Sequence, residues 1–197
     1  MAFLTGRDIL IQDSLSAWKD MLTGPHVELR ALQTEDALLM YKWHNDPRVT
    51  ADMGPRDGLL ATSMEEERAA LQRAVGSATE RHFIIHARDG GRAIGYAILG
   101  RIDQRRASAQ LTVVIGEPEE WDKGYGREAA GLLVGYAFRV LNLHRVWAAV
   151  PDHNERALAC LAAAGLEREG TLRDDHFHRG AYRSSHLLSV LRPEGRG

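Results

Sequence analysis

Apolar and polar positions change rhythm several times along the chain, and each rhythm predicts an element. In "HVELRAL", Val27, Leu29 and Ala31 alternate with polar residues, the period of a half-buried strand. "TEDALLMYKWHNDP" carries helical spacing, with Thr34 as the expected N-cap and Asp46-Pro47 as the stop. "MGPRDGLL" reads as loop, and "SMEEERAALQRAVG" predicts a second helix, opened by a Ser63/Glu66 capping box and stopped at Gly76. The period then falls to that of strands. "RHFIIHARDGGRAIGYAILGRI" holds two runs joined by "DGG", a hairpin signal, and "RASAQLTVVIGE" adds a third strand to the meander. Helical spacing returns in "GREAAGLLVGYAFRVLNL", through Ala130, Leu133, Val134, Ala137, Val140 and Leu141. "HRVWAAV" is a short buried-strand run, and "DHNERALACLAAAGL" is a helix ended by Gly165. "GTLRDDHFHRG" and "AYRSSHLLSVL" form a last hairpin that turns near Arg179-Gly180.

Strand, two helices, three antiparallel strands, helix, strand, helix and two strands make an α/β (α+β) architecture. The expected sheet is mixed, mostly antiparallel and of about seven strands, with helices on both faces. The strand ending near Ile115 and the strand from Arg145 to Val150 become neighbours through a crossover helix. Residues 1–25 read as an N-terminal extension closed by Gly24-Pro25, residues 26–193 as the domain, and 194–197 as a tail. In the extension, Ile9, Ile11, Leu15 and Trp18 are apolar anchors that cover the sheet or meet a second copy of the chain.

Composition narrows the function only a little. The chain has 197 residues, 44% hydrophobic and 26% charged, with a formal net charge of -2. That balance lacks the basic excess of a nucleic-acid binder, and "RIDQRR" reads as a solvated turn. No apolar run approaches membrane-spanning length, and the first residues lack a signal-peptide pattern, so a cytoplasmic protein is expected. The single cysteine, Cys160, leaves no intramolecular disulfide or cysteine-rich zinc site, and it reads as an inert buried thiol.

The candidate chemistry begins at "EWDKGYGREA". Where a chain enters a helix, the first N–H groups have no intrahelical partner and the helix dipole favours an anion. Gly124 and Gly126 let backbone approach a phosphate, and Lys123 and Arg127 add positive charge at the rim. A helix-start turn that merely needed glycine is the plain alternative. The spacing also fits a loose dinucleotide fingerprint, but the preceding strand belongs to a meander, and no Walker lysine follows.

The span from Val27 to Leu191 resembles the N-acetyltransferases of the GNAT superfamily, in the branch of ribosomal-protein-alanine and spermidine acetyltransferases. "SAQLTVVIGEPEEWDKGYGREAAGLLVGYAF" resembles the acetyl-CoA motif, "LNLHRVWAAVPDHNERAL" the following strand and asparagine-initiated helix, "AAAGLEREGTLR" a segment after that helix, and "WHNDPRVTADM" the first-helix signature. The resemblance implies a sheet splayed between the fourth and fifth strands, with acetyl-CoA as co-substrate in the opening and no metal. It implies that backbone of Thr112, Val113, Val114 and Ile115 pairs with the pantetheine arm. Amides of Lys123, Gly124, Tyr125, Gly126 and Arg127 would hold the pyrophosphate, Trp121 would pack beneath that turn, and Asn154 would contact the arm. An amine of unknown identity attacks the thioester, with the N–H near Val114 facing the oxyanion. Homodimers are common in such families, whereas nucleic-acid and membrane partners are not expected.

The usual proton handlers are missing. Relatives often carry a glutamate on the fourth strand where this chain has Gln110, and a tyrosine or serine where it has Leu161 and Ala157. Three readings stay open: other groups move the proton, proximity and a solvent base suffice, or the domain binds acyl-CoA without catalysis. Glu117 is a candidate base just past the fourth strand. Trp43, His44, Tyr96, Asp174 and His176 are candidate acceptor-side residues. His176 and His178 share one face of a strand, but without a third ligand in view they read as ordinary strand histidines rather than metal ligands.

Overall fold

The computed structural model describes residues 20–53 and 61–193. Among them a seven-stranded sheet runs in the order β1-β2-β3-β4-β5-β7-β6. β1 (Val27–Ala31), β2 (Arg81–Ala87), β3 (Ala93–Asp103) and β4 (Ser108–Ile115) form the antiparallel meander. β5 (Arg145–Pro151) lies parallel to β4, and β7 (Ala181–Leu191) pairs antiparallel with both β5 and the edge strand β6 (Glu167–His178). The β2–β3 turn places Gly90 and Gly91 at φ 81° and 63°, a region that glycine enters without a Cβ clash, as "DGG" foretold.

Helices cover both faces. α1 (Ala37–His44), α2 (Pro47–Thr50) and α3 (Met64–Val75) lie on one side, and α4 (Tyr125–Arg139) on the other, with α5 (Glu155–Ala163) packed against it. The pleat explains this division. Ile84 and Ile85 are adjacent on β2 and both fully buried, yet Ile84 joins Leu32, Trp43, Leu71 and Tyr96 under α1 and α3, while Ile85 joins Leu99, Leu133, Leu143 and Val146 under α4. Each such side chain contributes about 1.5–3 kcal/mol on leaving water.

The predicted capping box of α3 is present: Glu66 N–H donates to Ser63 Oγ at 3.2 Å, and Ser63 N–H donates to Glu66 Oε2 at 2.7 Å. The first predicted helix is different in detail. Residues Thr34–Asp36 form a 3₁₀ turn whose capping box joins Gln33 and Asp36 rather than starting at Thr34. Asp36 is pulled in by the guanidinium of Arg30 (Nη2 to Oδ1, 2.7 Å). Asp46-Pro47 ends α1 but also starts α2. Asp46 accepts from Arg48 N–H at 2.9 Å and Pro47 takes the first turn, where its missing N–H costs nothing.

The chain entering β1 is paired rather than loose: Gly24 N–H donates to Val27 O at 2.8 Å and Leu29 N–H to Leu22 O at 2.8 Å. The Glu128 carboxylate on α4 accepts from the N–H groups of His26 and Val27 at 2.8 and 2.9 Å, fastening α4 to the start of β1. Ile9, Ile11, Leu15 and Trp18 lie outside the described residues.

Candidate active site

β4 and β5 pair only from Ser108 to Gln110 and from Arg145 to Trp147. Beyond this point β4 stays with β3 up to Ile115, while β5 stays with β7 up to Pro151, so the two strands part. Between them opens a cavity of about 690 Å³, bounded by Leu111–Ile115, Ala148–Pro151, the turn before α4, one side of α5 and the segment Arg48–Met53.

The ladder decides which backbone groups face that cavity. Gly116 N–H donates to Ile94 O at 2.9 Å, one pair beyond the Gly95–Ile115 partnership. Hydrogen-bonded and non-bonded pairs alternate in an antiparallel ladder. Thr112 and Val114 therefore turn their N–H and C=O groups to β3, whereas Val113 and Ile115 turn theirs to the cleft. Trp121 Nε1 donates to the Ile115 carbonyl at 2.8 Å, which fits this alternation. The expectation that Val114 offers its N–H to the reacting oxygen is corrected: that amide belongs to β3, and the amides facing the opening are those of Val113 and Ile115. Of the four β4 residues expected to pair with a pantetheine arm, Val113 alone has both backbone groups on the open edge and uncommitted.

At the mouth, Gly124 is the N-cap of α4 with φ 84°, followed by Tyr125, Gly126 and Arg127. A Cβ on Gly126 would lie 3.1 Å from Cys160 Sγ and 3.8 Å from Ile115 Cγ1, so the glycine lets the turn sit against the cavity wall. Cys160 lines the cavity; burial raises its thiol above the usual range, with Arg127 opposing, so it stays protonated. Lys123 also lines the mouth, but its ammonium meets the buried Glu120 at 2.9 Å, and Arg92 pairs with the other oxygen of the same carboxylate. Arg156 stacks its guanidinium 4.1 Å over the Trp121 ring. Asn154 lines the cavity with both ends of its amide in use: Oδ1 accepts from Ala157 N–H at 2.9 Å, and Nδ2 donates to Asp52 O at 2.9 Å. It caps α5 and fastens it to the segment after α2. Ala157 and Leu161 do line the cavity, as apolar wall.

Several expected residues are placed elsewhere. Gln110 sits at the last β4–β5 pair, before the strands part, and does not line the cavity. Glu117 is no unengaged base: its carboxylate accepts from Lys42 Nζ at 2.6 and 2.7 Å and from Trp43 Nε1 at 2.9 Å. Trp43 is fully buried and stacks 6.2 Å from Tyr96, so it is core and not an acceptor contact. Asp174 lies exposed on a bulge of β6, away from the cavity. His176 is buried beside His153 and His178, with ring centroids 5.9 and 6.5 Å away. The third histidine that sequence lacked is thus supplied by the β5–α5 loop. The His153 and His178 rings stack 4.2 Å apart, and among the described residues no group of three is arranged around a metal-sized point.

One constellation went unread in the sequence. His44 Nδ1 lies 2.7 Å from Glu67 Oε1, and His44 Nε2 lies 3.1 Å from the Tyr96 hydroxyl. Thr62 Oγ1 donates to the same Glu67 oxygen at 2.8 Å. Burial pushes the Glu67 carboxyl up, but the hydrogen bonds from His44 and Thr62 outweigh it, leaving the group ionised and below its usual range. In sequence Glu67 is one of three acids, Glu65, Glu66 and Glu67, in the first turn of α3. Only its 3% exposure, known from the fold, marks it as different.

The sheet thus opens between two parallel neighbours, with a glycine-led helix start at the mouth of the cavity. The model of the acetyltransferase (GNAT) domain matches residues 26–167, and the chain belongs to that family. It is 28% identical to an uncharacterised N-acetyltransferase, p20, of Bacillus licheniformis, over 90% of this chain and 99% of that protein. It is 29% identical to the spermidine N(1)-acetyltransferase of Escherichia coli K12, over 87% of this chain and 89% of that one. Among solved structures, a spermidine N-acetyltransferase from Vibrio cholerae in complex with CoA and spermine superposes with a TM-score of 0.78 at 24% identity, covering 85% of this chain and 96% of that one. The chain is an N-acetyltransferase that works on acetyl-CoA, which removes the non-catalytic reading. No helix among the described residues is long and apolar enough to cross a membrane.

Proposed function

We propose that the protein transfers the acetyl group of acetyl-CoA to a primary amine of a small molecule or protein N-terminus by direct attack. The carrying observation is the parting of β4 from β5 after three residue pairs, with the N-cap turn of α4 at the mouth. An extended arm would add to β4 through the N–H and C=O of Val113, as a strand adds to an edge. The pyrophosphate would sit on the amides of Gly124 to Arg127, with Arg127 at the rim. The N–H of Ile115 would receive the developing negative charge on the thioester oxygen.

Acetyl-CoA should raise the melting temperature. At a concentration 100 times its Kd the stabilisation is about 2.7 kcal/mol, or roughly 5–10 °C for a chain of this size. Free thiol should then appear when spermidine, 1,4-diaminobutane, butylamine or a short peptide with a free N-terminus is added. Absence of a melting shift would remove the co-substrate site. A shift without thiol release from any amine would remove the amine as acceptor.

A further inference from the structure

We infer that Tyr96, His44 and Glu67 form a proton relay that takes the proton from the acceptor amine. The inference rests on the amine reading above. It answers the question left by Gln110, Leu161, Ala157 and Glu117, none of which supplies an unengaged acid or base at the cavity.

Three features support it. The first is direction. Glu67 is buried and ionised, so it accepts and His44 Nδ1 must donate; Nε2 is then left to accept from the Tyr96 hydroxyl at 3.1 Å. The second is position. Tyr96 on β3 is the register partner of Val114 on β4, and both side chains lie on the α1 face. Val114 and Met53 pack against the cluster that contains Tyr96, and both also line the cavity, so the phenol stands one side chain behind the cleft wall. The third is an exit. The His44 side chain keeps 20% of its surface exposed while Glu67 keeps 4%, so the middle of the chain meets solvent while its counter-charge stays buried.

A proton leaves the ammonium nitrogen of the acceptor and reaches the oxygen of the buried Tyr96 across water, as the Tyr96 proton passes to His44 Nε2. The imidazolium that forms is held by Glu67. The amine lone pair then forms the C–N bond at the thioester carbonyl carbon, and the C–S bond breaks. The nitrogen's surplus proton goes to the departing sulfur, and His44 returns its own to solvent. Glu67 and His44 act through Tyr96 and are positioning residues. Among the described residues, the charged groups on the elements packed there include Glu66 beside Glu67 on α3, the Lys42–Glu117 pair that joins α1 to the end of β4, and the Asp46–Arg48 pair at the start of α2. Lys42–Glu117 and Asp46–Arg48 are internally neutralised.

The test uses the full chain with acetyl-CoA and the amine that releases most thiol. Tyr96→Phe should lower kcat by about 10²-fold while keeping the melting shift given by acetyl-CoA. Glu67→Gln should move the acid limb of the kcat–pH profile to lower pH, because the imidazolium formed in the step loses its counter-charge. A residue that only braces the fold would lower melting temperature without moving that limb. If Tyr96→Phe fails to fold, His44→Gln carries the same comparison of rate, melting shift and pH profile. Rates within threefold of wild type, with an unmoved limb in folded variants, overturn the relay and leave the amine reading standing. A wild type that releases no thiol with any amine overturns both.

Discussion

The two sides of the cleft are built from different material. On the side proposed for the co-substrate, the groups that face the opening are backbone: the open edge of β4 at Val113 and the amides after Gly124. On the side proposed for the acceptor, the inferred relay is made of side chains that three elements bring together, His44 from α1, Glu67 from α3 and Tyr96 from β3. A backbone site tolerates many side chains but not a change in chain path. A side-chain site fails with a single atom. Substitutions should therefore divide by kind, and the division can be broken experiment by experiment.

The largest effect is expected where a side chain intrudes on the backbone site. Gly126→Leu must fit against Cys160 Sγ, 3.1 Å from its Cβ, and should weaken acetyl-CoA binding by about 100-fold, roughly 2.8 kcal/mol. Titrating the melting shift against acetyl-CoA checks it, and unaltered affinity would break the comparison. Next comes Gly116→Ala. Its Cβ would overlap the Trp43 ring, so unfolding free energy should fall by about 1–3 kcal/mol, read by urea denaturation. Trp121→Phe removes the Nε1–H donated to the Ile115 carbonyl and should cost about 1 kcal/mol of acetyl-CoA affinity, near fivefold.

Acid should act on the carboxylate ties of the fold before it acts on backbone hydrogen bonds. Hydrogen bonds from Arg145 and Ser189 lower Glu169 to about 2, and those of His44 and Thr62 hold Glu67 down against burial. A carboxylate lowered on folding stabilises above its unfolded pKa, and this contribution is lost as pH falls through the folded value. For Glu169 the decline is expected between about pH 4 and 2 and is small because the group is largely exposed; for Glu67 it comes as pH falls below the usual carboxylate range. Melting temperature against pH for wild type and Glu67→Gln measures it, the variant losing less in that window. The smallest effect is expected at Gln110→Glu. Gln110 sits before the strands part, so kcat should stay within about threefold; a marked rise would place the proton acceptor on β4 after all.

Local chemistry made much of this legible in advance. The Ser63/Glu66 box, the "DGG" turn and the helix start at Gly124 each depend on residues within a few positions of one another, and sequence displays those directly. The order of elements, with the family's motifs, was enough for the mixed sheet and its opening. What escaped depends on pairs far apart in the chain. Glu117 is engaged by Lys42, 75 positions earlier, and the link from His44 to Tyr96 spans 52. Trp43 looked available because an aromatic on an amphipathic helix can face either way, and only packing against Tyr96 and Gly116 turns it inward. The exchange of Val114 for Val113 and Ile115 was out of reach for another reason: ladder phase is set by the partner strand's register, which one strand's sequence does not carry.

The short β4–β5 pairing also bears on how the molecule avoids itself. An unpaired strand edge invites another chain to add to it, and most proteins blunt theirs with charges, prolines or bulges at the rim of a sheet. Here the unpaired stretch carries none of these, since Leu111 is followed by the β-branched Thr112, Val113, Val114 and Ile115. Its protection is its address. The edge lies in the interior of the sheet, with β5 facing it and α5 and the Gly124 turn closing over it. A single slender arm can enter there, but a second folded sheet cannot. The fold thus keeps a sticky edge and screens it by the width of what approaches, so that affinity for a ligand does not become affinity for its own kind.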